Sequence, residues 1–86
     1  MKYVVMQDPD GVEQAFVFPR EVDHDVMAEA LACMKNQTHG NWYRVLRIPV
    51  SAGFVDSEGT CFGHSESLGL KSRPTDTALL ASHANR

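Results

Sequence analysis

The sequence predicts an α+β domain: a mainly antiparallel sheet in the order ββαββ, with one helix packed on one of its faces. Three stretches carry that expectation. Residues 2–18 read as two β-rich runs around a tight turn, residues 23–36 repeat their apolar side chains with helical period, and residues 41–65 return to strand-like composition.

The first run, Lys2 to Gln7 (KYVVMQ), is β-branched and aromatic. Asp8-Pro9-Asp10-Gly11 then supplies a turn. The Asp8 carboxylate can cap it, Pro9 pre-sets φ at the second position, and Gly11 suits the left-handed residue. Val12 to Phe18 (VEQAFVF) is the return strand, and Pro19 stops it because it cannot donate to a ladder. Asp23 is expected as a helix N-cap, with Asp25 favoured in the first turn by the helix dipole. Val26, Met27, Ala30, Leu31 and Met34 form the apolar stripe, Lys35 sits in the last turn, and Asn36 to Gly40 supplies the stop. Met27, Leu31 and Met34 are expected against Val5, Phe16, Phe18 and Ile48.

Asn41 to Asp56 is strand-like but too long to be regular. Pro49 and Gly53 predict a kink, a bulge or an edge position. Ser57-Glu58-Gly59 is a turn and Thr60 to Ser65 a short fourth strand. The ordered core is expected over about 2–70. The tail, 75–86, offers a short helical turn docking through Leu79 and Leu80, with a frayed end. Both faces of the first hairpin carry apolar residues, so a single helix would leave one face uncovered. Self-association is the plain way to cover it.

At 86 residues the chain is one domain, 1–86, and buries only roughly 60–65 % of the surface its unfolded form exposes. It is 43 % hydrophobic and 22 % charged, a globular composition. A net charge of −3 argues against a general nucleic-acid binder. The charge is uneven, with seven acids against three bases in 1–41 and five bases against four acids in 42–86. Arg44, Arg47, Lys71 and Arg73 would form a basic patch if the fold gathers them, and a solvated face if it does not. Cys33 and Cys61 are too few for a disulfide framework, the N-terminus lacks the pattern of a signal peptide, and no apolar run approaches the roughly 18 residues of a membrane helix. The expected setting is a reducing cytoplasm with no membrane association.

Residues 59–74, GTCFGHSESLGLKSRP, concentrate the chemistry. Gly63-His64-Ser65-Glu66-Ser67 nearly spells the nucleophile elbow G-x-S-x-G, but a serine stands where the second glycine belongs, and the elbow needs a far larger sheet. Adjacent strand residues also point apart, so His64 cannot serve Ser65 as a base. Cys33, His39, Cys61 and His64 offer zinc-type ligands, with usable spacing only in Cys61-x-x-His64. Cys33 on the helix reads equally as a small core hydrophobe. A Cys61 nucleophile would need a depressed thiol pKa and an access cleft. Ser67 to Pro74 could hold an anion, yet lacks the G-x-x-x-x-G-K-[ST] order of a phosphate loop. No cofactor is implied. Trp42 is expected in the core, with Tyr43, Arg44 and Arg47 as candidates for partner contact.

The segment Ser51-Ala52-Gly53-Phe54-Val55, followed by Cys61 to Pro74 and then by Asp76 and Leu80, resembles small uncharacterised proteins encoded in tailed phages and prophages of Gram-negative bacteria. The resemblance covers about a third of the chain. It implies a phage-derived protein made in a bacterial cytoplasm and carries no assigned chemistry. Since no catalytic constellation survives the size and spacing arguments, the expected function is non-enzymatic: a homodimeric accessory protein that binds a host or phage macromolecule as modulator or inhibitor. Tyr43, Arg44, Arg47, His64, Glu66, Lys71 and Arg73 are the candidate contact residues. The alternatives are a nucleic-acid binder using Arg44, Arg47, Lys71 and Arg73, and a metal- or thiol-dependent protein centred on Cys61 and His64.

Overall fold

The computed structural model describes residues 1–32, 35–38, 41–44 and 46–84, with side chains described outside 33–45 and 83–86. The chain is an α+β fold. Strands β1 (Lys2–Gln7) and β2 (Glu13–Phe18) lead to helix α1 (His24–Ala32). A ribbon of β3 (Lys35–Thr38) and β4 (Asn41–Arg44) follows, then β5 (Ile48–Val55), β6 (Cys61–Phe62), β7 (His64–Ser65), β8 (Leu70–Lys71) and helix α2 (Asp76–Ala84). The main sheet is antiparallel in the order β2-β1-β5-β6, and β3-β4 and β7-β8 are separate two-stranded pairs.

The turn expected at Asp8 forms as its residues dictate. Asp8 Oδ1 accepts from the backbone N–H of Asp10 (2.9 Å) and of Val12 (3.0 Å), and Gly11 takes φ +84°. The same device recurs at Asp56, whose Oδ1 accepts from Glu58 and Thr60 at 2.9 Å while Gly59 takes φ +85°. Two hairpins are thus closed by one Asp-x-x-Gly chemistry.

β1 lies between β2 and β5, so both of its edges are paired, and a helix packs on each of its faces; Tyr3, Val4, Val5 and Met6 are all buried. Alternate side chains enter two cores. Val4, Met6, Phe18 and Ala52 meet Ala28 and Leu31 of α1, with Phe16 and Met27 at the margin. Tyr3, Val5 and Val55 meet Leu79 and Leu80 of α2 on the opposite face, together with Cys61 and Val50.

The two-helix cover revises several expectations. α2 occupies the sheet face for which self-association had been invoked. Val5 faces away from α1, and Ile48 is exposed. α1 runs His24–Ala32 rather than to residue 36, and Lys35–Thr38 is strand rather than last turn and stop. The fourth strand divides at Gly63 into β6 and β7, which belong to different sheets.

Pro49 and Gly53 act as expected. The β1–β5 register shifts between Val5 and Met6, leaving Val50 as the extra residue of a bulge beside Pro49. A Cβ on Gly53 would overlap the Phe62 carbonyl oxygen and crowd the Tyr3 ring, so only glycine lets β6 approach β5 there.

Candidate functional site

Residues 59–74 fold into β6, β7 and β8 with their connecting turns. The hydroxyls and glycines of this stretch are consumed in shaping it. Ser65 is buried, its Oγ accepts from Leu68 N–H at 3.3 Å, and its carbonyl accepts from Gly69 N–H at 3.0 Å. Ser67 Oγ accepts from Asp25 N–H at 3.3 Å, so a distant loop caps α1. Asp23, expected in that role through its carboxylate, instead places Oδ1 3.8 Å from Lys2 Nζ. Ser72 N–H donates to the Gly63 carbonyl at 2.9 Å and closes the small β7–β8 sheet.

Two open grooves flank this stretch. One, about 630 Å³, lies between the start of α1 and the loop, bounded by Lys2, His24, Phe54, His64 and Glu66. The other, about 560 Å³, has Val50 and Leu70 along its floor and His64, Glu66, Lys71 and Arg73 at its rim. His64-Ser65-Glu66 is the wall between them. His64 and Glu66 project into solvent, with Nε2 3.9 Å from Oε1. His64 stands opposite Lys71 in the β7–β8 register. Four of the expected contact residues thereby converge on one groove.

Arg73 is not free to serve a partner. Its Nη1 and Nη2 donate to the Glu13 carboxylate at 3.1 and 2.8 Å, and its Nε donates to Asp76 Oδ1 at 3.0 Å. The Asp76 carboxylate is fully buried and also accepts from the Arg73 backbone N–H (3.0 Å) and the Tyr3 hydroxyl (2.6 Å). Burial pushes the Asp76 carboxyl up. The Tyr3 hydroxyl, the Arg73 backbone and side chain, and the neighbouring Ser51 outweigh it and hold the group below its usual range. The Ser51 hydroxyl is buried beside the carboxylate but outside hydrogen-bonding geometry. Glu13 is likewise lowered, chiefly by Arg73. Burial and then Asp76 raise the Tyr3 phenol. This chain of Glu13, Arg73, Asp76 and Tyr3 ties β2, the start of α2 and β1 together.

His24 is a second buried polar group. Its ring is edge-on to Phe18 and Phe54, and its Nε2 lies 2.8 Å from the Gly53 carbonyl, which can only accept. Nε2 therefore carries the proton, and the ring is a strut between α1 and β5. Neither the strut nor the Asp76 network was anticipated. The pair Arg73 and Asp76, three apart across Pro74, was the available signal for the second. Nothing local points to Tyr3 or Glu13.

The thiol and metal expectations fare differently. Cys61 sits half-buried in the core beneath α2, and its backbone N–H donates to Thr77 Oγ1 at 3.0 Å. Burial pushes its thiol up, opposite to what a nucleophile needs. His64 faces the grooves, and Cys61 bounds neither of them. Among the described residues no three His, Cys, Asp or Glu side chains gather as a ligand set. Cys33 and His39 lie outside the described residues. Tyr43 and Arg44 belong to β4, with side chains outside the description. Arg47 is half-buried ahead of β5. Of the four bases of the expected patch, Arg73 is therefore taken by internal pairing, while Lys71 borders the second groove. No described helix is long and apolar enough to cross a membrane.

No protein-family model, curated protein or solved structure matches the chain.

Proposed function

We propose that the protein is a non-enzymatic, phage- or prophage-derived accessory protein that works in a bacterial cytoplasm by binding a protein partner. The contact surface is the wall formed by residues 64–71. One observation carries this reading. The polar groups with catalytic potential, Asp76, Arg73, Tyr3, His24 and Ser65, all have internal partners that hold the fold together. The exposed His64, Glu66 and Lys71 stand instead on a turn braced by Ser65, Ser67 and Gly69. A preorganised rim of mixed charge beside the apolar Val50 and Leu70 suits recognition by a folded partner, since little conformational entropy is lost on contact. The phage context rests on the resemblance of residues 51–80.

A homodimer is the alternative assembly. With α2 over the second sheet face, the exposed apolar side chains Val12 and Val17 are what a second copy would bury.

Site-resolved photo-crosslinking tests the reading. A crosslinking residue at position 66 in bacterial cells is expected to give a discrete protein adduct. The same residue at position 26, exposed on α1, is expected to give none. A His64→Ala, Lys71→Glu variant should weaken the adduct at least about tenfold, the loss of roughly 1.4 kcal/mol typical of a contact cluster. An adduct at 26 equal to that at 66, or none at either, would overturn the assignment of the surface. Sedimentation of the purified chain separates a second copy from a different partner.

A further inference from the structure

Of the two grooves that share the wall at residues 64–66, the one beside α1 carries a chemistry of its own. Its two sides are pinned together, since Ser67 Oγ on the loop accepts from Asp25 N–H on α1 at 3.3 Å. The Phe54 ring lines it, with Phe62 stacked on that ring at 5.9 Å and half exposed, and with His24 edge-on to it at 5.8 Å. Each side presents a carboxylate. Asp23 on the α1 side and Glu66 on the loop side both line the groove, with side chains 75 % and 93 % exposed.

Both carboxylates are loosely held. Asp23 Oδ1 lies 3.8 Å from Lys2 Nζ and Glu66 Oε1 lies 3.9 Å from His64 Nε2, each beyond hydrogen-bonding distance. The groups that could draw an anion into the groove are already engaged. Lys2 is mostly buried and donates to the Val22 carbonyl at 3.0 Å. In the first turn of α1, Asp25 N–H goes to Ser67, Val26 N–H to the Asp25 carboxylate at 2.9 Å and Met27 N–H to the Asp23 carbonyl at 3.1 Å. These are the amides with which a helix start would otherwise bind an anion. The surroundings are acidic as well, since residues 20–29 hold Glu21, Asp23, Asp25 and Glu29 against Arg20.

We propose that this groove receives an arginine side chain of the protein partner. Its guanidinium lies against the Phe54 ring and donates to Asp23 on one side and to Glu66 on the other. The inference rests on the reading of residues 64–71 as the contact surface and names what that surface takes. A guanidinium offers a flat face to the ring and a fork of N–H donors to carboxylates, which only accept. Lysine fits less well, because its compact ammonium neither stacks nor forks. The acidic surroundings favour encounter with a basic segment and oppose an acidic one.

A short peptide, acetyl-Gly-Gly-Arg-Gly-Gly-amide, is the probe, titrated at low salt into the full-length, isotope-labelled chain. The amide resonances of Asp25, Phe54, Glu66 and Ser67 should move together and saturably, and added salt should weaken the binding. The same peptide with citrulline, which keeps the shape and loses the charge, should leave them in place. The lysine peptide should bind about two- to fivefold more weakly than the arginine peptide. Asp23→Asn and Glu66→Gln alter exposed side chains, so the Tm should stay near the parent's while each weakens the arginine peptide about two- to fivefold.

The proposal is overturned if the four amides do not respond, if the citrulline or lysine peptide binds as tightly as the arginine peptide, or if either variant binds like the parent. It is also overturned if the same amides shift when the chain alone is concentrated, which would give the groove to a second copy. Its failure is distinct from failure of the surface. An adduct from position 66 in cells without arginine-peptide binding removes the arginine and keeps the surface. Arginine-peptide binding without that adduct keeps the groove's specificity and removes its assignment to a cellular partner.

Discussion

Asp76 shows how one fully buried charge can organise a domain of this size. Its carboxylate accepts from Tyr3, from the Arg73 backbone and from the Arg73 side chain, so every neighbour depends on its being ionised. Taking the acid away leaves Arg73 with Glu13 alone and the Tyr3 hydroxyl buried without its acceptor. Breaking one side of a buried, hydrogen-bonded pair costs about 3 kcal/mol or more, against a total of roughly 4–13 kcal/mol for 86 residues. Asp76→Ala is therefore expected to lower the urea midpoint severely, and Tyr3→Phe by the equivalent of about 1–2 kcal/mol. Chemical denaturation checks both. A Tyr3→Phe midpoint equal to the parent's would show that the hydroxyl contributes nothing. Such residues were poorly legible in the sequence. Arg73 read as a surface cation because its partners, Glu13 and Asp76, are sixty residues away and three residues away, and only the fold brings both to it.

At the scale of elements, legibility followed the range of the forces. The β1–β2 hairpin was readable because Asp8, Pro9 and Gly11 close it among themselves. The bulge at Val50 was readable because Pro49 forbids a regular ladder. The start of α1 was approximately right although its amide cap comes from Ser67, forty-two residues on. Its end was wrong because the apolar spacing carries the expected helix through Lys35 to residue 36, while Lys35 already belongs to β3. α2 was legible as a short helical turn docking through Leu79 and Leu80, but its part in the core was underread, since those two leucines are a thin apolar signal and the rest of its docking is polar, through Asp76 and Thr77.

That polar docking makes the attachment of α2 sensitive to pH at both ends. Asp76 and Glu13 have lowered folded values, so their contribution is complete above the ordinary carboxylate range and declines as pH falls through it and below. Tyr3 has a raised folded value. Its contribution is complete below about pH 10 and is lost as the unfolded phenol begins to ionise above that. Stability should therefore be flat between about pH 5 and 9 and fall on both sides. Thermal melts across pH check this, and Tyr3→Phe should shrink the alkaline limb to the part left by the raised Cys61 thiol while leaving the acid limb in place. An alkaline limb unchanged in Tyr3→Phe would assign it to another group.

For the molecule as a whole, the two cores are joined only through the central strands, and each depends on one helix for its cover. The sheet was correctly read as apolar on both faces. Self-association was the plain way to cover the far face, and within the single chain α2 covers it instead. The physical premise survives in a form that can be tested. Tyr3, Val5 and Val55 present a contiguous apolar surface wherever α2 is absent, and such patches seek another surface once they exceed a few hundred Å². Replacing Leu79 and Leu80 by Asp places two charges against that surface and should detach the helix while β1, β2 and β5 keep their hydrogen bonds and the α1 core. Such a chain is expected to associate more strongly with rising concentration than the parent in sedimentation, with its sheet signal in circular dichroism retained. A chain that keeps the sheet and sediments like the parent would show that the second face needs no cover. The helix would then be an ornament on a one-sided sheet rather than half of the core.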